Sequence, residues 1–549
     1  MSDRWDLRGV APELEARWRA DGLWNDETLG TVLERGLRTH ASQTFEIHSS
    51  TRAWRGTFGE VHERARRVAG ALRERGVGPG DPVAFQLPNW VEAAVTFYAA
   101  CELGAVVVPI VHFYGPKEVG YILRRTGVRA FVTASRFGTT DYLAGLEGLR
   151  DVVDDMAVVA IVGHGEAPGS ARPLPRGLTA FSELETGAPV NHPAAVDPQS
   201  PALVAYTSGT TADPKGVIHS HQTIGSEVRQ LGAMSANGGR PHLTGAPVGH
   251  AMGMLGALLI PVVGGDPVHL VDVWDPPRLL ALMAEHHLAC GSGATFFLTS
   301  LLDHPDRTPA HTELMRFVGL GGAAVPAAVA ERARDEGISI VRMYGSTEHP
   351  SITGATHDEP EVKRLTTDGR PMVGVDIRLV DDDGLDVPRG VPGEIWSRGP
   401  DCFVGYTDAA LTAAAFDEGG WYRTEDIGVL DDEGYLRITD RKKDVIIRGG
   451  ENVSAAEVEE LIAAMPAVAE VAVVAAPSER LGEQVCAFVR MLPGAVPMDL
   501  AALRASLGEA GLSRAKWPEL LHLVQDLPRT PSGKVKKAVL RATAREGVP

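Results

Sequence analysis

The sequence predicts an α/β protein: a large N-terminal domain of α/β layers with a β-rich subdomain, and a small, mobile α/β domain at the C-terminus. Helix-type and strand-type segments alternate between residues 57 and 162, short β-type runs follow between 369 and 440, and a second alternating segment ends the chain. At 549 residues the chain is also too long for one hydrophobic core.

The N-terminal alternation begins with a capping box. Thr57 and Glu60 have the required spacing, and they precede apolar residues that share one helical face, at Val61, Ala65, Val68 and Leu72. Strands are predicted at 82–87, 105–110, 128–133 and 158–162, with a helix at 89–103. This order is typical of largely parallel strands joined by helices.

The β-rich subdomain is predicted between residues 369 and 440. The runs DIRLV, GEIWS and YLRIT alternate there with the turn sequences DDG, PGE and DEG. After Asp440, a second capping box at Ser454 and Glu457 starts a helix, and a strand is predicted at 471–474. We therefore divide the chain into an N-terminal domain, 1–440, and a C-terminal domain, 441–549.

Composition excludes several classes of protein. The net charge is −18, with 71 acidic and 53 basic residues, and no basic block indicates nucleic-acid binding. Four widely separated cysteines give neither a disulfide framework nor a zinc motif. The longest apolar run, at about 251–263, is shorter than the roughly 20 residues of a transmembrane helix. With no apolar leader at the N-terminus, we expect a cytoplasmic protein without a transmembrane segment.

The segment Tyr206–Gly216 (YTSGTTADPKG) is the strongest local signal. Glycine-freed backbone amides, four hydroxyls and one ammonium would suit a polyphosphate. The segment lies between a strand-like run and a run that we read as helical from Ile218 to Leu231. It lacks Walker A spacing, and a polar turn is the alternative interpretation.

Four further motifs follow. Tyr344–Glu348 (YGSTE) offers a hydroxyl for phosphate and a carboxylate for Mg²⁺, with a simple turn as the alternative. Trp421–Asp426 (WYRTED) carries an aspartate that would end a strand and could bind a ribose diol. The segment 440–452 (DRKKDVIIRGGEN) suits a hinge, or a solvated loop before a helix. Arg529–Lys534 (RTPSGK) presents a lysine on a turn, or is an ordinary basic tail.

Two histidine patterns contain some of the residue types of a metal site. His219 and His221 form an HxH pair, and His286 and His287 form an HHxxC pattern with Cys290. Neither pattern has a third ligand at a suitable spacing, so we predict no metal site from them.

In this order and spacing the motifs resemble the adenylate-forming superfamily of acyl-CoA synthetases, adenylation domains and luciferases, over about residues 30–545. The matching segments are YTSGTTADPKG, PVGHAMG, GLGGAAVP, YGSTE, WYRTED, DRKKDVIIRGGEN and PRTPSGK. The resemblance implies that a carboxylate attacks the α-phosphorus of ATP to give an acyl-adenylate, and that a thiol then displaces AMP.

The resemblance also implies roles for individual residues. Catalytic roles fall on Lys534, His250, Thr347 and Glu348, with Glu348 holding Mg²⁺. ATP binding falls on Thr207, Ser208, Gly209, Thr210, Thr211, Lys215, Gly321, Gly322, Ala323, Tyr344, Gly345, Ser346, Asp426 and Arg441. Lys443 is placed at the hinge, and CoA binding falls on Gly449, Gly450 and Glu451. Ala212 and Glu425 stand where the superfamily commonly has glycine.

The predicted function is ATP-dependent carboxylic acid–CoA ligation, with ATP, Mg²⁺ and CoA as cofactor and co-substrates. The alternatives are an acyl-AMP ligase that loads a carrier protein, a luciferase-like oxidase or a non-catalytic relative. The pocket candidates favour a medium-chain, alicyclic or aromatic acid; they are His250, Met252, Met254, Phe296, Phe297, Ala323, His349 and Ser351. The sequence does not determine the oligomeric state and leaves a homodimer open.

Overall fold

The computed structural model describes residues 4–164, 174–207, 214–234, 240–322, 325–448, 451–529 and 534–546. Up to residue 234 the helices are α1 (Pro12–Ala20), α2 (Leu29–Thr39), α3 (Phe58–Glu74), α4 (Val91–Glu102), α5 (Pro116–Thr126), α6 (Tyr142–Glu147), α7 (Arg150–Val153), α8 (Phe181–Leu184) and α9 (His221–Ala233). The strands are β1 (Thr44–His48), β2 (Trp54–Thr57), β3 (Pro82–Gln86), β4 (Val106–Ile110), β5 (Ala130–Ala134), β6 (Arg136–Phe137), β7 (Thr140–Asp141), β8 (Val158–Val162), β9 (Thr179–Ala180), β10 (Pro201–Thr207) and β11 (Lys215–Ser220).

Between residues 240 and 448 the helices are α10 (Ala251–Gly253), a π-helical turn (Met254–Leu259), α11 (Ile260–Gly264), α12 (Pro276–His286), α13 (Thr295–Leu302), α14 (Pro309–Leu314), α15 (Ala327–Asp335), α16 (Glu361–Thr366) and α17 (Ala409–Ala415). The strands are β12 (Leu243–Thr244), β13 (Val268–Val271), β14 (Phe317–Gly321), β15 (Ser339–Tyr344), β16 (Thr353–Gly354), β17 (Arg370–Pro371), β18 (Asp376–Val380), β19 (Gly393–Arg398), β20 (Gly405–Tyr406), β21 (Tyr422–Leu430), β22 (Leu436–Arg441) and β23 (Ile446–Arg448).

From residue 451 onward the strands are β24 (Glu451–Val453), β25 (Val468–Ser478), β26 (Gly482–Met491) and β27 (Leu520–Leu523). The helices are α18 (Ala455–Ala463), α19 (Leu500–Glu509), a 3₁₀ turn (Arg514–Lys516) and α20 (Lys537–Glu546).

An eight-stranded sheet forms the centre of the N-terminal part, in the order β20-β11-β10-β4-β3-β5-β8-β9. All neighbours from β10 to β9 are parallel, whereas β11 and β20 are antiparallel at one edge. Successive side chains of β3 face different cores, with Val83 and Phe85 in one cluster and Ala84 in the other. This sheet, covered on both faces, confirms the predicted α/β class.

The first predicted capping box is confirmed. Glu60 N donates to Thr57 Oγ1 over 3.3 Å, and Thr57 N donates to Glu60 Oε2 over 2.8 Å. Together these bonds satisfy two of the backbone donors that helix α3 would otherwise leave unpaired at its N-terminus.

The helical reading of residues 218–220 is wrong. Residues 215–220 form β11, and α9 begins only at His221, with Thr223 N donating to Ser220 Oγ over 3.2 Å. Val217 and Ile218 are β-branched and fully buried, and they pair with β20 on one side and β10 on the other. Burial on both faces of a sheet favours a strand over an amphipathic helix at this position.

The predicted β-rich subdomain is confirmed as an antiparallel sheet. Its order is β18-β19-β21-β22, and the runs DIRLV, GEIWS and YLRIT contribute to β18, β19 and β22 respectively. Strand β22 ends at Arg441, at the position where the sequence predicts a hinge.

The C-terminal elements form a separate sheet, β24-β23-β26-β25 with β27 beside β26. Two apolar clusters made only of residues between 446 and 544 cover this sheet. The Ser454 side chain caps α18 by accepting from Glu457 N over 3.0 Å. The domain boundary at Asp440 remains a prediction, with which these self-contained clusters agree. Among the described residues, no helix combines the length and apolar composition needed to cross a bilayer.

Candidate active site

The ends of the predicted phosphate segment are fixed by a β-hairpin. Strands β10 and β11 are antiparallel, and Thr207 lies opposite Lys215 in the register. The predicted phosphate ligands Ser208, Gly209, Thr210 and Thr211 lie outside the described residues. The hairpin therefore holds the first and last predicted phosphate ligands side by side on neighbouring strands.

Tyr406 connects this hairpin to the YGSTE segment. Its hydroxyl donates to Glu348 Oε1 over 2.8 Å, and the Lys215 ammonium lies 5.4 Å from the centre of its ring. Burial and the Glu348 carboxylate raise the pKa of Tyr406, so the phenol stays protonated and remains a donor. Sequence reasoning missed this residue, because nothing in the local sequence of β20 indicates that it pairs with β11.

The YGSTE segment is held through its backbone. A β-carbon added at Gly345 would lie 1.8 Å from the Pro350 carbonyl oxygen, so only glycine fits there. His219 Nε2 donates to the Thr347 carbonyl over 2.7 Å, and Phe403 N donates to the Glu348 carbonyl over 2.7 Å. These bonds fix the main chain that carries the predicted catalytic side chains of Thr347 and Glu348.

The histidines of the HxH pattern have separate partners. His219 supports Thr347 as described, whereas His221 Nδ1 accepts from Leu29 N over 3.2 Å at the start of α2. The two side chains of the pair therefore have contacts in different parts of the fold.

Asp426 and Arg441 form a second part of the site. The register of β21 and β22 places them directly opposite each other, and Arg441 Nε donates to Asp426 Oδ1 over 2.6 Å. The Tyr344 hydroxyl donates to Asp426 Oδ2 over 2.8 Å. An ionised carboxylate has about four acceptor positions, so Asp426 can still accept from a ligand.

The expectation that Asp426 ends a strand is wrong, because β21 continues to Leu430. The strand instead bulges, with an irregular register against β19 between Glu394 and Trp396. Glu425 has a left-handed backbone (φ 60°), and Asp426 N donates to Thr424 Oγ1 over 3.1 Å. The bulge re-aims the Asp426 side chain, which a regular strand would not do.

Lys534 reaches this site from the C-terminal part of the chain. A β-carbon added at Gly322 would lie 3.8 Å from Lys534 Cε. Surrounding protein atoms and Arg441 lower the pKa of Lys534, while Asp426 and Glu348 act in the opposite direction. The residue nevertheless keeps solvent access, and the space that it shares with Gly322, Asp426 and Glu348 is called the crevice below. Asp426 and Glu348 are each more than 100 residues from Lys534 in the sequence.

The Gly321–Gly322 segment forms one wall of the crevice. Gly321 ends β14, and Gly322 has φ 76°, a conformation that favours glycine. Ala323, the third residue predicted for this wall, lies outside the described residues.

His250 lies close enough to Lys534 for the charge of the ammonium group to affect its pKa. Desolvation by the surrounding protein, and then Lys534, lower the pKa of His250 to about 4, so the ring is neutral at pH 7. Its Nδ1 accepts from Met252 N over 3.4 Å, which places the proton on Nε2.

Asn89, which sequence reasoning missed, holds the segment before His250. Its Oδ1 accepts from Val248 N over 2.9 Å, and its Nδ2 donates to the carbonyl oxygens of Ala246 and Val271 over 3.1 and 2.9 Å. Asn89 is fully buried and makes three hydrogen bonds to the backbone, so it fixes the conformation of this loop.

His349 and Ser351 do not fit the predicted role in the acyl pocket. His349 is fully buried, with its nitrogens 2.8 Å from Ser397 Oγ and 3.2 Å from Asp401 Oδ1. Ser351 Oγ donates to the buried Glu227 Oε1 over 2.8 Å. The polar atoms of both side chains are hydrogen-bonded within a buried network that begins at the residue after Glu348. Neither side chain therefore offers a polar atom to a substrate.

The predicted hinge at Lys443 lies between a contact to strand β21 and a contact to helix α20. Lys442 N donates to the Glu425 carbonyl over 2.8 Å, and Arg541 of α20 forms an ion pair with Asp444. Lys443 is exposed between them. The predicted CoA ligands Gly449 and Gly450 lie outside the described residues, as does the side chain of Glu451.

Comparison with known proteins identifies the family of this chain. Residues 37–407 match the model of the AMP-binding enzyme family, and residues 457–534 match the AMP-binding enzyme C-terminal domain. A medium-chain fatty-acid–CoA ligase from Escherichia coli (strain K12) is 33% identical over 96% of this chain and 92% of its own length. The 3-[(3aS,4S,7aS)-7a-methyl-1,5-dioxo-octahydro-1H-inden-4-yl]propanoyl:CoA ligase of Rhodococcus jostii (strain RHA1) is 35% identical over 94% of this chain and 98% of its own.

Among solved structures, ATP-bound MatB from Rhodopseudomonas palustris superimposes with a TM-score of 0.82 at 28% identity. The match covers 94% of this chain and 98% of MatB. The chain belongs to the AMP-binding enzyme family. It is an adenylate-forming enzyme, and its named relatives include acid–CoA ligases.

Proposed function

We propose that this protein is an ATP-dependent carboxylic acid–CoA ligase that forms an acyl-adenylate and then an acyl-CoA. The observation that carries the proposal is the position of Lys534, which lies in one crevice with Glu348, Asp426 and His250. An ammonium beside two carboxylates, a protonated phenol and a neutral imidazole suits a reaction between two anions.

In the first step a carboxylate oxygen of the acid attacks the α-phosphorus of ATP, and the bond to pyrophosphate breaks. Two negatively charged reactants must approach, and charge accumulates on the phosphoryl oxygens. Lys534 is suited to bridge the carboxylate and α-phosphate oxygens, while Thr207, Lys215 and the segment between them hold the outer phosphates. Fixed charges of this kind stabilise the transition state because they need no reorganisation.

The nucleoside would bind beside Asp426 and Tyr344. Asp426 is held by Tyr344 and Arg441 but retains acceptor positions for two ribose hydroxyls. The Tyr344 ring would stack on adenine, with Gly321 and Gly322 as the wall towards the acyl group.

A Mg²⁺ ion fits the chemistry of Glu348. The Tyr406 hydroxyl holds one carboxylate oxygen, and hard oxygen ligands of this kind are those that Mg²⁺ prefers. When bound, the ion would neutralise charge on the ATP phosphates. The side chain of Thr347 would contact the α-phosphate from the same segment.

In the second step the CoA thiol gives its proton to water, its sulfur attacks the acyl carbon, and the bond from that carbon to the AMP phosphate breaks, so that AMP leaves. We assign His250 to the carboxylate of the acid in the first step, because its Nε2 carries a proton and can donate. Lys534 must leave before the thiol enters. We propose that the C-terminal domain, 441–549, rotates about Lys443 and brings Gly449, Gly450 and Glu451 to the pantetheine.

The acid is proposed to be medium-chain, alicyclic or aromatic. Beyond the Gly321 wall, Gly321 N donates to the Gly293 carbonyl, and Gly293 lines a cavity of about 10 Å³. The residues around it include Trp274, Phe297, Leu298 and Leu320. The cavity holds no more than about one water, so the proposal rests on the relatives, whose names give a medium-chain fatty acid, a ring-bearing propanoate and indoleacetate.

The test is a panel of acids, octanoate, cyclohexanecarboxylate, phenylacetate and acetate, assayed for pyrophosphate release with and without CoA. We expect acid-dependent release, and an acyl-CoA product detected by mass spectrometry only when CoA is present. An acyl-adenylate that accumulates with CoA but is consumed by a phosphopantetheinylated carrier protein would instead establish the acyl-AMP ligase alternative. No acid-dependent release from any acid would overturn the proposal.

A further inference from the structure

A cluster of metal-ligating side chains lies on a sheet that contributes none of the predicted nucleotide ligands. The sheet has the order β12-β13-β1-β2, with β13 and β1 parallel. Glu46 of β1 lies directly opposite His269 of β13 in the register. His48 is two residues beyond Glu46, so the two side chains lie on the same face of the strand.

The ligand atoms of these three residues converge. His48 Nε2 and His269 Nδ1 are 3.1 Å apart, and the two rings are stacked with an interplanar angle of 12°. Glu46 Oε2 lies 3.8 Å from His269 Nδ1, and one ligand atom from each residue lies within 4.8 Å of the other two. Tetrahedral zinc with bonds of about 2.0–2.1 Å to nitrogen requires ligand atoms roughly 3.3 Å apart. The cluster needs only small side-chain movements to reach that geometry.

A third imidazole is adjacent. The His286 ring, at the end of α12, has its centre 5.0 Å from that of His48 and 6.2 Å from that of His269. His48 and His269 are buried, whereas the His286 side chain is 24% exposed. An ion could therefore enter past His286, which would also supply the fourth ligand.

One neighbouring charge bears on the site. Arg55 Nε lies 3.8 Å from Glu46 Oε2, but its side chain is 72% exposed and can move into solvent.

We propose that Glu46, His48 and His269 form a binding site for a Zn²⁺-class divalent metal ion, with His286 as the fourth ligand. Imidazole and carboxylate ligands select zinc, cobalt or nickel over Mg²⁺, which prefers an all-oxygen shell. Such an ion would connect β1, β13 and the end of α12 and would stabilise the folded chain. The site is separate from the ATP site, so the proposal does not depend on the proposed ligase activity.

The test uses the full-length protein, stripped of metal with EDTA and kept free of ATP. Equilibrium dialysis against Zn²⁺ should give one bound ion per chain, and Co²⁺ should give the visible absorption of a four-coordinate site. Replacing an outer-sphere partner of a metal site costs roughly 10- to 100-fold in affinity. We expect His48→Gln and His269→Gln, which remove ligands, to weaken zinc binding by more than that. The matched control is His192→Gln, which changes an exposed histidine and should bind zinc as wild type does.

Absence of stoichiometric zinc binding by the wild type, or unchanged affinity in His48→Gln and His269→Gln, would overturn the proposal. Unchanged affinity in His286→Gln would overturn the assignment of the fourth ligand. X-ray absorption at the zinc edge of the wild type requires no variant to fold. We expect a shell of imidazole and carboxylate ligands, and a shell with thiolate sulfur or with oxygen alone would contradict the site.

Discussion

The Tyr406 hydroxyl donates a hydrogen bond of 2.8 Å to Glu348 and so connects the hairpin of β10 and β11 to the YGSTE segment. Strand β20 places Tyr406 beside β11, at whose start Lys215 lies over the same ring. The predicted phosphate ligand and the predicted Mg²⁺ ligand therefore share one aromatic support.

Tyr406→Phe removes the donor to Glu348 but keeps the ring beneath Lys215. A hydrogen bond to a charged group contributes about 1.5–3 kcal/mol, which corresponds to roughly 10- to 100-fold. We expect kcat/KM for ATP to fall by about that factor and the Mg²⁺ requirement to rise, both measured by pyrophosphate release. The control is Tyr98→Phe, which removes a buried hydroxyl that donates to the Leu258 carbonyl elsewhere in the core. An unchanged Mg²⁺ requirement would contradict the inference that Tyr406 positions Glu348 for Mg²⁺.

Lys534→Ala removes the ammonium from the crevice. Loss of one preorganised group of this kind costs on the order of 10²–10³ in rate. We expect ATP–pyrophosphate exchange to fall by at least that factor, while thioester formation from a supplied acyl-adenylate remains. Equal loss of both half-reactions would contradict a specific role of Lys534 in adenylation.

Gly450→Leu tests the second half-reaction. The resemblance places Gly450 at the entering pantetheine, where a branched side chain would obstruct the thiol. We expect transfer to CoA to be blocked and ATP–pyrophosphate exchange to persist. A variant that fails in both assays would count against two separate conformations of the enzyme.

Glu425→Gly should stabilise the protein. Glu425 has φ 60°, and a left-handed conformation costs a non-glycine residue roughly 1–2 kcal/mol. The entropy that glycine loses on folding offsets roughly 0.5–1 kcal/mol of this, so we expect a gain of about 0.5–1 kcal/mol in the free energy of unfolding, measured in urea. Arg437→Gly, at an exposed position in β22 without a positive φ, should instead destabilise by about 0.5–1 kcal/mol. Equal effects of the two changes on the free energy of unfolding would contradict backbone strain at Glu425.

His349→Gln should change how stability depends on pH. Burial alone would lower the pKa of His349, but Asp401 raises it to about 10, above the value near 6.5 expected in the unfolded chain. A raised pKa means that the pair stabilises the fold fully below about pH 6.5 and loses this contribution as the pH rises towards about 10.

The variant leaves Asp401 without its cation, which we expect to cost about 3–5 kcal/mol at neutral pH. The decline in unfolding free energy between pH 6.5 and 10 should become shallower than in the wild type, as measured by urea denaturation at several pH values. His192→Gln, at an exposed position, should leave the profile unchanged. A wild-type stability that rises over this range would exclude a charged His349.

The sequence by itself determined the elements that depend on neighbouring residues. The box at Thr57 and Glu60 acts within one helical turn, and the buried strands β3 to β5 are short, mostly apolar runs. The order of the motifs also determined the family, since each motif is a short segment whose residues are adjacent in the chain.

Only the tertiary structure decided which distant residues meet. Residues 215–218 became a strand because β10 and β20 lie on either side of them, and Asp426 is aimed by a bulge against β19. The contact between Tyr406 and Glu348 depends on sheet register rather than on spacing along the chain. The cluster of Glu46, His48 and His269 is likewise produced by the parallel pairing of strands more than 200 residues apart, so no local pattern could have predicted it.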